Sequence, residues 1–474
     1  MTLKIGFIGV DQICFTGDKA AEYARGKREL SALAERLGFA ITAYGNTIIT
    51  RGQAEEAAGF FAREGIDFLL VQNSSFAAGE TILPLAKLGL PIGLWAVPEP
   101  RESGYLPLNS FCGVNMYASI ITNYLKHHNV KYKYFFGHGD DPRFVERFSI
   151  TIRALMAIKK LKQSRVALIG GIAPGFNDLY FDERIIEKKL GVNIQRNHEY
   201  EEIKSRALSY GQPVIDAAAE KELTRYKTVC AGAAENIQMN IRFTKAYQEF
   251  AAEYGYDALA ISCWPKIQDD FMACTCQSMA ALNSLGVPAA CEGDLPGALA
   301  MLLLKYLSGG QVTTLLDLVS FDERDDTIQL WHCGPTALEF ANSKGANLDV
   351  IEQNVDETGV EKRRLRYVHD MVIREGDATI AMFLGDFDSM CVAEGAFIGR
   401  DKKTFLGSAG WLGAMRLNGK PVSALDMIHT ILTLGIQHHY PVIMGRYTKE
   451  LIEVAAWLGL RLVEKAEYTD HLQP

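Results

Sequence analysis

Short apolar runs alternate with amphipathic stretches from the start of the chain to about Leu307. Lys4–Val10 (KIGFIGV) is too short and too uniformly apolar for anything but a buried strand. Lys19–Leu37 then shows helical spacing and stops at Gly38, a residue suited to a helix C-terminus. A strand-like Ala40–Tyr44, a helix around Gln53–Arg63, the strand Asp67–Gln72 (DFLLVQ), a helix over Glu80–Leu88 and the strand Pro91–Trp95 follow. Strands and helices of this length in alternation predict a parallel sheet covered by helices on both faces. Residues 109–160 read as mostly helical, with Lys126, His127, His128, Lys131 and Lys133 on a solvated basic face.

The alternation resumes at Ser164. Arg165–Gly171 (RVALIGG) is a strand running into glycines, Asp182–Leu190 a helix ending at Gly191, and Ser205–Tyr254 a long helical region. Asp257–Cys263 is a second buried strand, Cys274–Leu285 a helix, and Gly286–Ala298 (GVPAACEGDLPGA) the last strand end before a helical run. After Lys305–Gly310 the texture changes. Thr313–Phe321, Ile328–Cys333, Arg364–Arg374, Ala378–Asp386, Met390–Ile398 and Arg416–Leu417 read as strands joined by turns, before one last helix over Lys449–Leu458. The expected fold class is α/β: two Rossmann-like parallel-sheet domains, 1–163 and 164–307, followed by a β-rich, barrel-like antiparallel domain over 308–474.

Composition narrows the function classes. Hydrophobic residues at 48% and charged residues at 22% of 474 positions describe a globular chain of several domains. A net charge of −8 without long runs of one sign gives no support to a nucleic-acid or acidic-membrane partner. Met1-Thr2-Leu3-Lys4 leads straight into a strand, no signal peptide is read there, and no apolar run approaches the roughly 18 residues of a membrane span. The 9 cysteines are odd in number and scattered through apolar strings, which predicts free thiols in a reducing, cytoplasmic setting. Cys274-Thr275-Cys276 has no second cysteine pair at zinc-site spacing. Gly170-Gly171 could cradle a phosphate, but no Lys-Ser/Thr follows, and no glycine-rich fingerprint follows the first strand, so no dinucleotide cofactor is expected.

Ligands on parallel sheets sit beyond the carboxyl ends of the strands. Those ends carry Asp11-Gln12, Asn73-Ser74-Ser75, Trp95, Trp264 and the tetrad Cys291-Glu292-Gly293-Asp294. A carboxylate that follows a buried strand is expensive to desolvate unless something positive meets it. Asp294 has a structural explanation as the cap of the next helix; Glu292 has none. Further along stand Asp317 inside a strand pattern, His332 in Leu330–Pro335, and His438-His439. Each alone also reads as an edge residue or a satisfied core histidine. Adjacent histidines on a strand point to opposite faces, so only one of His438 and His439 is expected at any one site. Carboxylate oxygen with imidazole nitrogen, and no thiolate pattern, favours Mn²⁺, with Mg²⁺ or Co²⁺ as alternatives.

Pro91–Trp95, Cys291–Asp294, Asp317, and His438-His439 followed by Gly445, in this order and spacing, resemble the L-fucose isomerase/L-arabinose isomerase family of metal-dependent aldose–ketose isomerases. The resemblance covers most of the chain. It implies Glu292, Asp317 and His439 as metal ligands, with Glu292 and Asp317 also catalytic. His332, a ligand or a sugar contact, joins Trp95, Gln12 and Trp264 as substrate-binding candidates. It further implies a trimer or hexamer in which the first domain lends residues to a neighbour's site. The first strand end, Asp11–Phe15, does not match the fucose-type pattern, and the C-terminal domain is shorter.

The reaction expected is a proton-transfer isomerisation of an open-chain sugar through a cis-enediol, on a substrate of L-fucose or L-arabinose type or a related hexose. An anionic sugar such as sulfoquinovose, converted to sulfofructose, is the alternative; Arg101, Lys19, Arg25 and His138 are the first-domain cations that could meet its charge. A non-catalytic sugar-binding or sensing protein is the alternative of another class. The first two domains would suit it, and the ligand set of the third argues against it.

Overall fold

Five runs of the first part of the chain become a parallel sheet: β1 (Lys4–Val10), β2 (Ala40–Ala43), β3 (Phe68–Asn73), β4 (Ile92–Ala96) and β5 (Tyr132–Phe136), in the order β2-β1-β3-β4-β5. The computed structural model describes residues 2–271, 274–355, 359–399, 402–469 and 471. The chain divides into two compact units, Met1–Met156 and Ala157–Pro474. Every residue of β3 and β4 is buried, which is why these strands are apolar throughout rather than alternating.

β5 corrects the mostly helical reading of residues 109–160. Helices form at Ser110–Ser119 and Pro142–Leu161, but the basic stretch between them holds an edge strand. Only Phe135 of β5 is buried, so the strand lacks the apolar run that marks its neighbours. Charge on an edge strand is a common protection against mispairing. Lys133 supplies it here, its Nζ donating to the Arg147 carbonyl and to Thr151 Oγ1.

In the second unit, β6 (Arg165–Ile169), β7 (Asn193–His198), β8 (Ala258–Ile261) and β9 (Ala289–Ala290) form another parallel sheet, ordered β7-β6-β8-β9. β7 reads NIQRNH and escaped notice because a polar edge strand has no hydrophobic period. The long helical region is three helices, Tyr200–Ser209, Gln212–Leu223 and Ala233–Tyr254. The last begins after Gly232, whose φ of 79° suits glycine.

The C-terminal strands are β10 (Thr313–Asp322), β11 (Thr327–His332), β12 (Asn347–Val355), β13 (Glu361–Val372), β14 (Gly376–Phe383), β15 (Ser389–Phe397), β16 (Ser408–Leu417), β17 (Lys420–Pro421), β18 (His439–Met444) and β19 (Arg461–Leu462). Pairing runs β16-β11-β10-β18-β14-β15 and returns to β16, always antiparallel, and so closes a barrel. Closure removes the exposed edges that an open sheet would leave. β13 adds to the barrel by parallel pairing with β16 and carries β12 with it. A helix at Ala424–Thr433, unforeseen in the sequence, precedes β18.

One helix, Leu295–Leu307, ties the two layers together. It packs against β6, β8 and β9 on one side and β10, β14 and β18 on the other. Eleven of its thirteen residues are buried, so it has no polar face, as expected of a helix enclosed all round. Asp294 caps it: Oδ1 accepts the Gly297 N–H at 2.8 Å. A Cβ at residue 297 would lie 2.0 Å from Asp294 Oδ2, so glycine is required there. Gly297→Ala is expected to displace the cap and to destabilise the second unit by about 1 kcal/mol or more, read as a lower midpoint of thermal unfolding.

Candidate active site

The site is built where β9 meets the capped helix. Glu292 sits in the left-handed region at φ 60°, uncommon for a residue with a side chain. The turn is held from two sides: the Glu292 carbonyl accepts the Ala173 N–H at 2.9 Å, and the Gly293 N–H donates to the Ile261 carbonyl at 3.0 Å. Gly293 also has positive φ, and a Cβ on it would stand 2.2 Å from the Gly171 carbonyl oxygen. The glycine pair after β6 is thus used for close backbone packing under Glu292.

The barrel supplies the opposing groups. The register of β10 with β18 sets Asp317 directly across from His439, and cross-strand partners share a face. Asp317 Oδ1 lies 3.7 Å from His439 Nε2 and 4.0 Å from His332 Nε2. That oxygen is buried without a hydrogen-bond partner among the described residues. Burial pushes the Asp317 carboxyl up, and the surrounding imidazoles do not fully offset it. Glu292 behaves oppositely. Burial works to raise it, but His438, His439 and His332 outweigh that and hold it below its ordinary value.

His439 is fixed by Asp294. Its Nδ1 is 3.0 Å from Asp294 Oδ2, and both side chains are almost wholly buried. A carboxylate at Nδ1 keeps the proton there and leaves the Nε2 lone pair free. That Nε2 faces Glu292 Oε2 at 3.5 Å and Cys291 Sγ at 3.6 Å. His332 has the opposite tautomer. Its Nδ1 accepts the Cys333 backbone N–H at 2.8 Å, so the proton of the neutral ring is on Nε2, which points to Cys291 Sγ at 3.0 Å. The nearby acids favour a second ring proton, but the Cys333 N–H already occupies that position and opposes it.

His438 corrects the expectation that only one of the paired histidines could serve the site. β18 begins at His439, so His438 precedes the strand and escapes its alternation. Both rings reach Glu292, His438 Nε2 at 3.2 Å, and their centroids are 4.2 Å apart. His438 Nδ1 is 2.6 Å from Asp178 Oδ2. Burial disfavours its protonation, but the bonds to Glu292 and Asp178 prevail and push it up to about 9.

Two triplets bring potential ligand atoms within 4.8 Å of one another: Cys291, His332 and His439, and Glu292, His438 and His439. The expectation of a site without thiols therefore needs correction, because Cys291 stands beside both buried histidines. Burial and Glu292 push its thiol well above the ordinary value.

Glu292 and His332 open onto a cavity of about 190 Å³. Trp264, half-buried, lines it together with Phe176, whose ring also packs on His438 at 5.3 Å. Arg366 of β13 lines it too, a residue that no pattern in the sequence marks out from its basic neighbours. The other two candidates lie in the first unit. Trp95 is fully buried, its Nε1 donating to the Gly137 carbonyl at 2.7 Å and its ring packed on Phe144 and Phe7. It is a core residue there, which corrects the sugar-stacking expectation, since a ring so enclosed leaves no face for a sugar. Gln12 is half-buried after β1, its N–H donating to Ser75 Oγ at 3.0 Å. Among the described residues no helix is long and apolar enough to cross a membrane.

No protein-family model matches the chain. A solved arabinose-binding protein from Shewanella sp. ANA-3 covers 65% of the chain and 86% of its own at 11% identity, with a TM-score of 0.17 that supports no argument. The chain is similar to proteins named sulfoquinovose isomerase. That of Priestia aryabhattai is 26% identical over 415 residues, covering 86% of this chain and 88% of its own. Those of Alkalicoccus urumqiensis and Clostridium sp. (strain MSTE9) are also 26% identical, over 84% and 83% of this chain and 86% and 85% of theirs.

Proposed function

We propose that the chain is a divalent-metal-dependent aldose–ketose sugar isomerase. The observation that carries this is the convergence of Glu292 and Asp317 on His439, with a buried Asp317 oxygen that no described group satisfies. The similarity to sulfoquinovose isomerases over most of both chains supports the same class.

The donor set fits a divalent ion. Ligand atoms around an octahedral ion of this size stand about 3 Å apart; Glu292 and Asp317 lie 3.5 and 3.7 Å from His439 Nε2, and His438 joins Glu292 and His439 within 4.8 Å. Two carboxylates and an imidazole suit Mn²⁺, Mg²⁺ or Co²⁺, with Mn²⁺ the first choice. His332, its Nε2 proton held by the tautomer, is a hydrogen-bond donor to substrate oxygen rather than a ligand. A non-catalytic sugar binder would have no use for the orphaned Asp317 oxygen or for the carboxylate that orients His439.

A divalent ion held there supplies Lewis acidity that polarises the sugar carbonyl. Glu292, kept ionised by its histidines, accepts the proton from C2 and returns one to C1. Asp317, its carboxyl raised by burial, carries the hydroxyl proton between O2 and O1. Hydrogen moves from C2 to C1 and from O2 to O1 through an enediol, so the step needs no outside oxidant or reductant. His438, braced by Asp178, holds the Glu292 carboxylate in place. Trp264 and Phe176 give the sugar an apolar wall.

Self-assembly as a trimer or hexamer, with the first unit serving a neighbour's site, belongs to the same proposal. In the first unit Phe111, Tyr134 and Phe136 are half exposed around a cavity of about 500 Å³, an apolar patch of the kind that interfaces cover. Light scattering after gel filtration should give the mass of a trimer or hexamer, and a monomer would refute this part.

Glu292→Gln and Asp317→Asn should each lower kcat by roughly 10²–10⁴ in a ketose-formation assay. Full activity of either variant after chelation and metal re-addition rules its role out. Chelation of the unmodified protein should abolish turnover, and Mn²⁺ should restore it. Asp294→Asn keeps an oxygen for the Gly297 N–H but turns a donor toward His439 Nδ1, moving the ring proton to Nε2. Its metal affinity, titrated calorimetrically, should fall by about 10–100-fold with the fold intact.

A further inference from the structure

Arg366 presents a guanidinium to the cavity that holds Glu292 and His332, where no described carboxylate bonds to it and cysteines face its charge, among them Cys333, whose thiol is held well below its ordinary value chiefly by its bond to Cys276. Its Nε is buried without a hydrogen-bond partner among the described residues. The polar groups around it are the thiols of Cys263, Cys274, Cys276 and Cys333, which are weak acceptors. A half-buried cation in such surroundings is costly unless a ligand brings the counter-charge. A second atom waits in the same wall: Gln268 Oε1 is buried and unpartnered, although its Nε2 is bonded to Cys274 Sγ at 2.9 Å.

The cations weighed in the first unit are differently placed. Arg25 is paired with Glu29 at 2.6 Å and meets Asp140 at 3.8 Å. His138 contacts Arg25, and Lys19 donates to the Phe15 carbonyl.

We propose that Arg366 binds an anionic group, a sulfonate, at the end of the sugar remote from the reacting carbonyl, and so makes this an isomerase of anionic sugars. The inference rests on the isomerase reading above and names the residue that sets its substrate class. The planar guanidinium fork matches a tetrahedral oxyanion. No second Lys or Arg among the described residues lines the cavity, which suits a singly charged sulfonate better than a doubly charged phosphate ester. Gln268 Oε1 accepts a sugar hydroxyl beside it.

The test compares sulfoquinovose, its uncharged parent 6-deoxyglucose, and glucose 6-phosphate on the metal-loaded protein and its Arg366→Ala and Arg366→Lys variants. Binding is read by calorimetry and turnover by ketose formation. Sulfoquinovose should bind the unmodified protein best. Arg366→Ala should weaken its binding and raise its KM by about 10–100-fold, a larger loss than the same variant shows on 6-deoxyglucose, and Arg366→Lys should fall between. Equal losses on the charged and uncharged sugars, at unchanged metal content and thermal stability, would overturn the inference, as would preference for glucose 6-phosphate. Turnover that ignores Arg366 sinks this inference alone. Arg366-dependent binding without turnover of any sugar sinks the isomerase reading instead.

Discussion

The carboxylate of Asp294 has both oxygens committed, and the site depends on that. One oxygen starts the helix Leu295–Leu307 by accepting the Gly297 N–H, and the other accepts the Nδ1–H of His439 on β18. The parallel sheet and the barrel are thereby joined at one buried ion-pairing group. Because the helix is enclosed by both layers, its first turn cannot shift without moving barrel strands β10, β14 and β18. The same anchor fixes which nitrogen of His439 faces the site. A structural cap and the orientation of a candidate ligand are thus one interaction, and neither can be changed alone.

Around that anchor the second unit concentrates unfavourable electrostatics. Glu292 is in a strained backbone conformation, and Asp317 has a buried oxygen with no partner among the described residues. Strain and unsatisfied polar atoms cost stability and persist only where surrounding structure enforces them. Here the enforcement is visible: glycine-to-backbone contact at Gly293 and Gly171, and a closed barrel that leaves β10 no freedom of register. Both groups point toward one volume. A cation in that volume would give the Asp317 oxygen a partner.

Much of this was legible in the sequence because apolar patterning and local chemistry agreed. Uniform apolar runs marked β1, β3, β4, β6 and β8, and Glu292 and Asp317 stood out as carboxylates inside such runs. Where patterning and chemistry diverged, the reading failed. β5 and β7 are edge strands whose polar residues hide the strand period. His438 was set aside by strict alternation, which does not govern a residue one position before its strand. Trp95 lies at a strand end, where ligands are sought, yet its neighbours Phe7 and Phe144 come from distant parts of the chain and enclose it. Arg366 follows Lys362-Arg363-Arg364, so in the sequence it is one more charge in a basic run. Only the cavity distinguishes it.

That cavity also bears on selectivity. Its described walls are mostly thiols and aromatic rings, with ionised groups at Glu292 and Arg366. Apolar walls discriminate weakly between sugars that differ by a methyl or a hydroxyl, whereas a polar group left unpaired by the wrong ligand discriminates strongly. Arg366 and Gln268 Oε1 are such groups, so a neutral hexose would bring the guanidinium no counter-charge. Binding energy gained at the remote end of a substrate is most useful when it holds the reacting carbons against the catalytic groups. β13, which carries Arg366, joins the closed barrel through β16, the neighbour of β11, on which His332 sits. The proposed recognition and the proposed chemistry therefore share one rigid frame, in which contact at one end can fix position at the other.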